Sequence, residues 1–437
     1  MFVKRRKELL KKRFNLQRRM MLMLSIMVIE ILLLSVLPIG IDNAEFYSLL
    51  TVIINSVLVI GFLIFGNIAK HRYIIVISYF LKIGILLISY YDLFPIMFTG
   101  ADSVRFDTQA MQIWNNPELL NNKYGTLYQP FLGRLYMLVG PQKILAQYTN
   151  VILSIIGLLC IERIFTRFEV DEQTAKISML ILSISPVAII LSSVLMRDAM
   201  VTNFFIFSMY FFLLYAIDHK VQDVILSFVF ISLASIFHSG VFPFAIGIVV
   251  YVLMEKGTNS AMVKILCTLI LFFGIFSFSD VLFTKFSGLE KSESEILEQL
   301  QDARGGSAYL TGLESNSIMV NLLYSPIKII YFLFSPMPWD IRHLGDIIMI
   351  ALDSVLYYFI IVSIIKSRAS VKGKLIGSLI LGIVLILFAF ANGTHNSGTA
   401  ARHRYKVLPA ICIVYGLINS KITKYGKSEN FDYSSRL

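Results

Sequence analysis

The chain has 437 residues, of which 57% are hydrophobic and 15% are charged, and its mean hydropathy is +0.73. This composition excludes a soluble globular protein of ordinary type. The net charge of +11 lies mainly in short segments between apolar runs, where it indicates membrane topology and contact with anionic lipid, so no nucleic-acid partner is expected. The three cysteines all lie in apolar runs, which predicts neither a disulfide framework nor a zinc site.

Apolar runs long enough to cross about 30 Å of hydrocarbon recur along the chain and predict an all-α polytopic membrane protein. A basic cytoplasmic segment, residues 1–19, is expected to precede a transmembrane domain at 20–421, and a cytoplasmic tail, residues 422–437, is expected to follow it. The sequence predicts about twelve transmembrane helices, at 20–41, 46–66, 73–91, 144–162, 177–196, 199–217, 222–237, 240–254, 262–280, 345–365, 375–391 and 405–420.

The distribution of Lys and Arg predicts the orientation of these helices. With both termini in the cytoplasm, every predicted cytoplasmic connection carries at least one cation, as the positive-inside rule requires. Two long segments, 92–143 and 281–344, then become outer loops. The sequence thus predicts a multi-pass protein of the inner (plasma) membrane whose chemistry lies on the extracytoplasmic side.

Residues 319–339 are apolar enough to span the membrane but contain three prolines and Lys328. If they spanned, the four cations between Lys366 and Lys374 would face outward, against the positive-inside rule. We therefore expect a re-entrant or interfacial element on the outer side.

The first outer loop brings two carboxylates, Asp102 and Asp107, and the guanidinium of Arg105 to the membrane surface. A carboxylate at this place can act as a base or hold a metal ion. The alternative is a solvated loop in which these residues cap a helix, because Asp and Ser are common helix caps.

Two further polar positions fall between predicted spans on the outer side. Arg197 and Asp198 follow the fifth span, and they either serve a site or pair with each other at a turn. His238 follows the seventh span, where a single His is more often a hydrogen-bonded helix end than a catalyst.

The most informative cluster lies between the last two predicted spans. It places five groups that can carry positive charge on the outer side, against the positive-inside bias: His395, Arg402, His403, Arg404 and Lys406. Arg presents a planar fork that matches phosphate oxygens, and Lys and His add charge. This pattern predicts an anion-binding site, with the phosphate of a lipid carrier as the natural ligand.

Taken in order, these motifs resemble the GT-C class of integral-membrane glycosyltransferases, which includes the protein O-mannosyltransferases and the enzymes that add aminoarabinose to lipid A. Each motif is weak alone, and the order and spacing carry the resemblance. The motifs are GADS at 100–103 with Phe106 and Ala110, then Tyr128, Pro130 and Gly133, Asn150, Ser185-Pro186 with Arg197-Asp198, PMPW at 336–339, and RYK at 404–406 with Pro409.

The resemblance implies a GT-C-like fold and sugar transfer from a polyprenyl-phosphate-linked donor to an extracytoplasmic acceptor, in the assembly of cell-surface glycans. It implies that Asp102 is the base and Asp107 a second acid or metal ligand. It further implies that Arg402 and Arg404, aided by His403 and Lys406, bind the donor phosphate. Arg105, Arg197, Asp198, His238 and His395 are supporting residues.

Several points stay open at the level of sequence. The acceptor is a glycan, a lipid or a protein, and the cofactor is unknown, a divalent cation at Asp102 or Asp107 being the one candidate. A polysaccharide polymerase of the capsule or O-antigen type would also use outward arginines. A flippase or other transporter of lipid-linked oligosaccharides is a third reading, in which charges inside the membrane would line a path.

Overall fold

A computed structural model describes residues 44–66, 68–96, 102–122, 124, 126–255, 260–277, 308–310, 313, 317–342, 344–366 and 373–420. The predicted span 20–41, both terminal segments and residues 278–307 lie outside the described residues, as do Gly100 and Ala101 of the first motif. The described part is all-helical, with isolated β-bridges but no strand. This confirms the predicted class.

The helices are labelled here in chain order, and short 3-10 turns at Pro117–Asn121, Ser239–Val241 and Pro338–Asp340 lie between them. They are α1 Ala44–Phe65, α2 Arg72–Tyr90, α3 Asp102–Asn115, α4 Tyr128–Val139, α5 Lys143–Arg167, α6 Glu172–Ile184, α7 Pro186–Leu191, α8 Asp198–Asp218, α9 Val221–Phe237, α10 Phe244–Met254, α11 Ser260–Ser277, α12 Ile318–Phe334, α13 Leu344–Lys366, α14 Lys374–Asn392 and α15 Ser397–Ile418.

Six described helices are long and apolar enough to cross a membrane: α1, α2, α5, α8, α13 and α14. The other predicted spans with described residues correspond to helices that are shorter, interrupted or more charged. The total of twelve spans and the GT-C arrangement therefore stay predictions.

The predicted span 177–196 is divided in two. Helix α6 ends at Ile184 because Pro186 has no amide hydrogen with which to continue the backbone ladder. Pro186 instead begins α7, and the Ser185 hydroxyl accepts a hydrogen bond from the Ala188 amide at 3.4 Å. After the break, Ser192 and Ser193 are both fully buried, at the end of the bundle that is predicted to be outside.

The predicted outer loop 92–143 is largely helical rather than irregular, since it contains α3 and α4, which pack against each other. Gly133 makes this packing possible, because a Cβ there would lie 2.4 Å from Ile113. Asp102 lies in the first turn of α3, so the packing of α3 on α4 holds its position.

Residues 319–339, predicted to form a re-entrant or interfacial element, contribute most of α12, which has Pro326 inside it and ends at Phe334. Helix α12 packs against α14 and α15. Whether it enters the membrane from the outer side stays a prediction.

Helix α15 is the centre of the bundle. It contacts α5, α6, α7, α8, α12, α13 and α14, and every residue from Arg404 to Ile418 is buried. Gly416 allows α5 to approach closely, because a Cβ there would lie 2.5 Å from the ring of Phe165. By contrast, only 28% of α1 is buried, and its exposed face is apolar, as a lipid-facing helix requires.

The two predicted sides of the membrane correspond to the two ends of this bundle. At one end, Lys70 pairs with Glu172 and Arg167 pairs with Asp218, which joins predicted cytoplasmic connections. At the other end, Arg342 donates to the Ser397 hydroxyl and the Tyr309 amide donates to the His395 carbonyl. The connections predicted to be outside meet there.

Cysteine labelling tests the orientation of the bundle. The native cysteines are all buried, so single exposed cysteines can be introduced at Asn122 and Lys220, which lie at opposite ends. We expect a membrane-impermeant maleimide to label Asn122→Cys in intact cells and Lys220→Cys only after permeabilisation. The reverse pattern would contradict the predicted topology.

Candidate active site

Arg402 joins two carboxylates that are distant in sequence. One terminal nitrogen lies 2.8 Å from Asp102 Oδ2, and the other lies 3.2 Å from Asp198 Oδ2. The first outer helix, the start of α8 and the start of α15 thus meet at a single guanidinium. Arg105 also donates to Asp102, at 2.9 Å, so that carboxylate lies between two arginines at the start of α3.

Asp198 is fully buried, and it is neutralised by cations from α15. Lys406 Nζ lies 2.6 Å from Asp198 Oδ1, while Arg402 contacts the other oxygen. A buried carboxylate is costly unless it is paired and hydrogen-bonded. Residues 402 and 406 are four apart on one helix and therefore lie on the same face, which explains how both reach Asp198.

A histidine pair extends this cluster. Lys406 Nζ lies 2.9 Å from His403 Nδ1, and an ammonium can only donate, so His403 carries its hydrogen on Nε2. The His403 ring stacks on Phe390, with centroids 4.6 Å apart, and meets the ring of His238 at 4.9 Å. The Gly240 amide donates to His238 Nδ1, which gives that ring the same tautomer.

Asp107, the second predicted carboxylate, has a different environment. It accepts a hydrogen bond of 2.6 Å from the hydroxyl of Tyr136 on α4. Burial, followed by the negative charge of Asp107, raises the pKa of Tyr136 well above its ordinary value. Tyr136 therefore remains a donor to Asp107.

Two guanidinium nitrogens at the cluster are buried and have no hydrogen-bond partner: Arg402 Nε and Arg197 Nε. A terminal nitrogen of Arg197 donates to the Phe237 carbonyl at 3.3 Å, which holds the side chain near Asp198. Buried N–H groups are nearly always paired, so these two donors indicate a place for an acceptor.

The structure does not bring Arg404 into this cluster. Arg404 is two residues from Arg402 and so lies on another face of α15, where it is 1% exposed. It donates to the carbonyls of Phe332 and Leu333, at 3.2 and 3.0 Å, and lies over the ring of Tyr357. His395 lies in the segment before α15, where its carbonyl accepts a hydrogen bond from the Tyr309 amide.

The carboxylates of the site do not form a metal-ligand set. Both oxygens of Asp102 face arginines, and Asp107 faces Tyr136. Among the residues that the structure describes, no group of three His, Cys, Asp or Glu side chains could hold a metal ion.

Sequence reasoning missed two polar residues of this region. Tyr136 could not be linked to Asp107 before the packing of α3 on α4 was known. Lys82 could have been found, because a lysine inside a predicted span, here 73–91, is unusual in itself.

Cations and paired carboxylates thus meet at one end of a bundle of apolar helices. Residues 127–283 match the family model described as dolichyl-phosphate-mannose-protein mannosyltransferase, so the resemblance predicted from the ordered motifs is confirmed over that part of the chain. The match includes Arg197, Asp198 and His238. No curated protein and no solved structure matches the chain.

The comparison therefore indicates a membrane glycosyltransferase of the GT-C kind. The matched range does not include Asp102, Arg402 or Lys406. Only the folded structure brings these residues into one cluster with Asp198.

We expect the losses of stability caused by substitutions of Asp198 and Lys406 to be strongly non-additive. Asp198→Asn or Lys406→Met alone leaves a buried charge without its partner and should lower the free energy of unfolding by about 3–5 kcal/mol. Because the double variant removes both charges, its loss of unfolding free energy should be clearly smaller than the sum of the two single losses. Thermal unfolding of purified protein in detergent measures this, and the exposed pair Lys70 and Glu172 serves as a control in which little change is expected. Additive losses would mean that the pair is not coupled.

Proposed function

We propose that the protein transfers a sugar from a polyprenyl-phosphate-linked donor to an acceptor on the outer face of the plasma membrane, in the assembly of cell-surface glycans. The observation that carries the proposal is Arg402, held between Asp102 and Asp198 with a buried Nε free to donate. A phosphate group supplies the acceptor oxygens that this nitrogen and Arg197 Nε lack.

The charges of the site suit a lipid phosphate. Arg105, Arg197, Arg402 and Lys406 face two carboxylates, those of Asp102 and Asp198, which leaves an excess of positive charge. A polyprenyl-phosphate sugar is a phosphodiester with one negative charge, and its leaving group is a monoester that gains a second. Fixed guanidinium donors stabilise that developing charge more than they stabilise the ground state.

Asp102 is the best candidate for the base that removes the acceptor's proton. Its side chain is 31% exposed, whereas that of Asp198 is fully buried. Without a donor, Asp102 is paired with Arg402. A donor phosphate competes for the same guanidinium, and its binding would loosen that pair and free a carboxylate oxygen of Asp102 to accept the proton.

The proton and the leaving group can then be followed. The acceptor hydroxyl attacks the anomeric carbon and transfers its proton to Asp102, while the bond between that carbon and the phosphate oxygen breaks. The electron pair of this bond remains on the polyprenyl phosphate, which Arg402 and Arg197 hold. The apolar helices around the site would accommodate the lipid tail.

Replacement of Asp102 by Asn tests the base. The change keeps the shape but removes the proton acceptor, and we expect turnover to fall about 100-fold to 10,000-fold with normal protein abundance. Glu118→Gln, an exposed carboxylate of the same outer loop, should leave transfer unchanged. If Asp102→Asn is fully active while Asp107→Asn is inactive, the two carboxylates have the opposite roles.

Replacement of Arg402 by Lys tests phosphate binding. Lysine keeps the charge but not the bidentate fork, so we expect kcat to fall on the order of 100-fold and the donor KM to rise. Arg134→Lys, on the exposed surface of α4, is the matched control and should behave as wild type.

The other predicted phosphate ligand is tested in parallel. Since Arg404 bonds two carbonyls in the core, Arg404→Lys should reduce the amount of folded protein rather than the turnover of what folds. If the Arg404→Lys protein is fully folded but transfers no sugar, Arg404 binds the donor phosphate after all.

The same preparation distinguishes the alternatives. Purified protein in nanodiscs is supplied with a polyprenyl-phosphate sugar and candidate acceptors, and a transferase releases polyprenyl phosphate. A polymerase would instead require a polyprenyl-diphosphate-linked oligosaccharide, supplied in a parallel reaction, and would lengthen the glycan with release of polyprenyl diphosphate. A protein that moves lipid-linked sugar between leaflets of sealed vesicles without releasing either product would be a transporter.

A further inference from the structure

Lys82 is an ionisable residue in the interior of the helix bundle. It lies in the middle of α2, a candidate span, and is 2% exposed. Its Nζ donates to the Ser154 hydroxyl of α5 at 2.7 Å. In the described part of the chain no carboxylate pairs with Lys82, and the bond to Ser154 uses one of its N–H groups, so at least one further donor is available. An ionisable residue inside a membrane is costly and usually has a role.

Lys82 lines a cavity of about 20 Å³, and every residue around the cavity is buried. A cavity needs about 10–15 Å³ to hold one water molecule, and the water needs two to four polar partners. This cavity therefore has room for a water molecule but not for a sugar or a phosphate.

Two acceptors belong to residues that line the same cavity. Asn203 donates through Nδ2 to the Ala199 carbonyl, which leaves its Oδ1 as an acceptor. Pro409, inside α15, has no amide hydrogen, so the carbonyl of Tyr405 lacks its usual partner four residues on. The Tyr405 hydroxyl is already bonded to Thr202 and Ser192, which leaves the carbonyl as the free group of that residue.

These acceptors lie on the two helices that form the charged cluster. Asn203 is on α8, five residues after Asp198, and Tyr405 is the residue before Lys406 on α15. A water molecule that accepts from Lys82 and donates to both acceptors would therefore fix α8 and α15 relative to each other, directly below the Asp198–Lys406 pair.

We propose that Lys82 is a positioning residue that binds an internal water molecule between Asn203 Oδ1 and the Tyr405 carbonyl, and thereby holds Asp198, Arg402 and Lys406 in register. The kinetic consequence rests on the proposed transferase function, whereas the water site does not. Lys82 takes no direct part in the reaction, since it reaches the charged cluster only through the helices.

The direct test is a high-resolution electron cryo-microscopy structure of the full chain in nanodiscs. We expect density for water within hydrogen-bond distance of Lys82 Nζ and both acceptors, and its loss in Lys82→Met, which keeps the length and apolar stem of the side chain. An empty cavity in wild-type protein, at a resolution that resolves other buried waters, would overturn the proposal.

Kinetics test the positioning role in the same preparations. Because small displacements of catalytic groups cost up to about 100-fold, Lys82→Met should lower kcat about 10-fold to 100-fold, with a smaller change in donor KM and an unchanged amount of folded protein. Lys82→Gln can still donate to the water and should recover part of this loss. Lys70→Met, which removes an exposed lysine just before α2, should behave as wild type.

Failure of the positioning role, of the water site and of the proposed function would each give a different result. Full turnover in Lys82→Met, with the water lost, would overturn the positioning role. If wild-type protein transfers no sugar at all, the proposed function fails, and the density alone then decides whether Lys82 binds water.

Discussion

One buried carboxylate constrains the end of the bundle that holds the candidate site. Asp198 is inaccessible to solvent at the start of α8, and an unpaired charge at such a place would oppose folding. It is matched by Arg402 and Lys406 on the central helix, so α8 and α15 can pack only in the register that brings these groups together. Arg402 then extends the constraint to Asp102, at the start of the first outer helix.

This arrangement gives a reason for the cations at the start of α15, which the predicted topology places on the outer side. Part of their charge neutralises Asp198 and is structural. The remainder, with the free Nε groups of Arg402 and Arg197, is available to an anion. A single guanidinium thus serves both packing and ligand binding, which makes the site sensitive to any shift of α15.

The sequence predicted the all-helical class, and it singled out several residues that the structure brings together, because its strongest signals are local. Apolar runs placed the helices, and outward cations marked the start of α15. That Arg402 and Arg404 point in different directions follows from the sequence alone, since residues two apart lie on different faces of a helix. Which of the two faces meets Asp198 depends on how the helices pack. The hydrogen bond between Asp107 and Tyr136 and the division at Pro186 likewise depend on neighbours that no single segment specifies.

Lys82 is unusual in the sequence, because it is a lysine inside a predicted span. Its role could be inferred only from the cavity and from the proline of a distant helix.

The central claim is that a lipid phosphate binds at Arg402 and Arg197. The most direct measurement is the structure of the protein in nanodiscs with a bound polyprenyl phosphate. We expect phosphate density against Arg402 Nε and Arg197 Nε, with the contact between Arg402 and Asp102 lengthened. Phosphate density at the opposite end of the bundle, near Lys70 and Arg167, or against Arg404 with the Asp102–Arg402 pair intact, would contradict it.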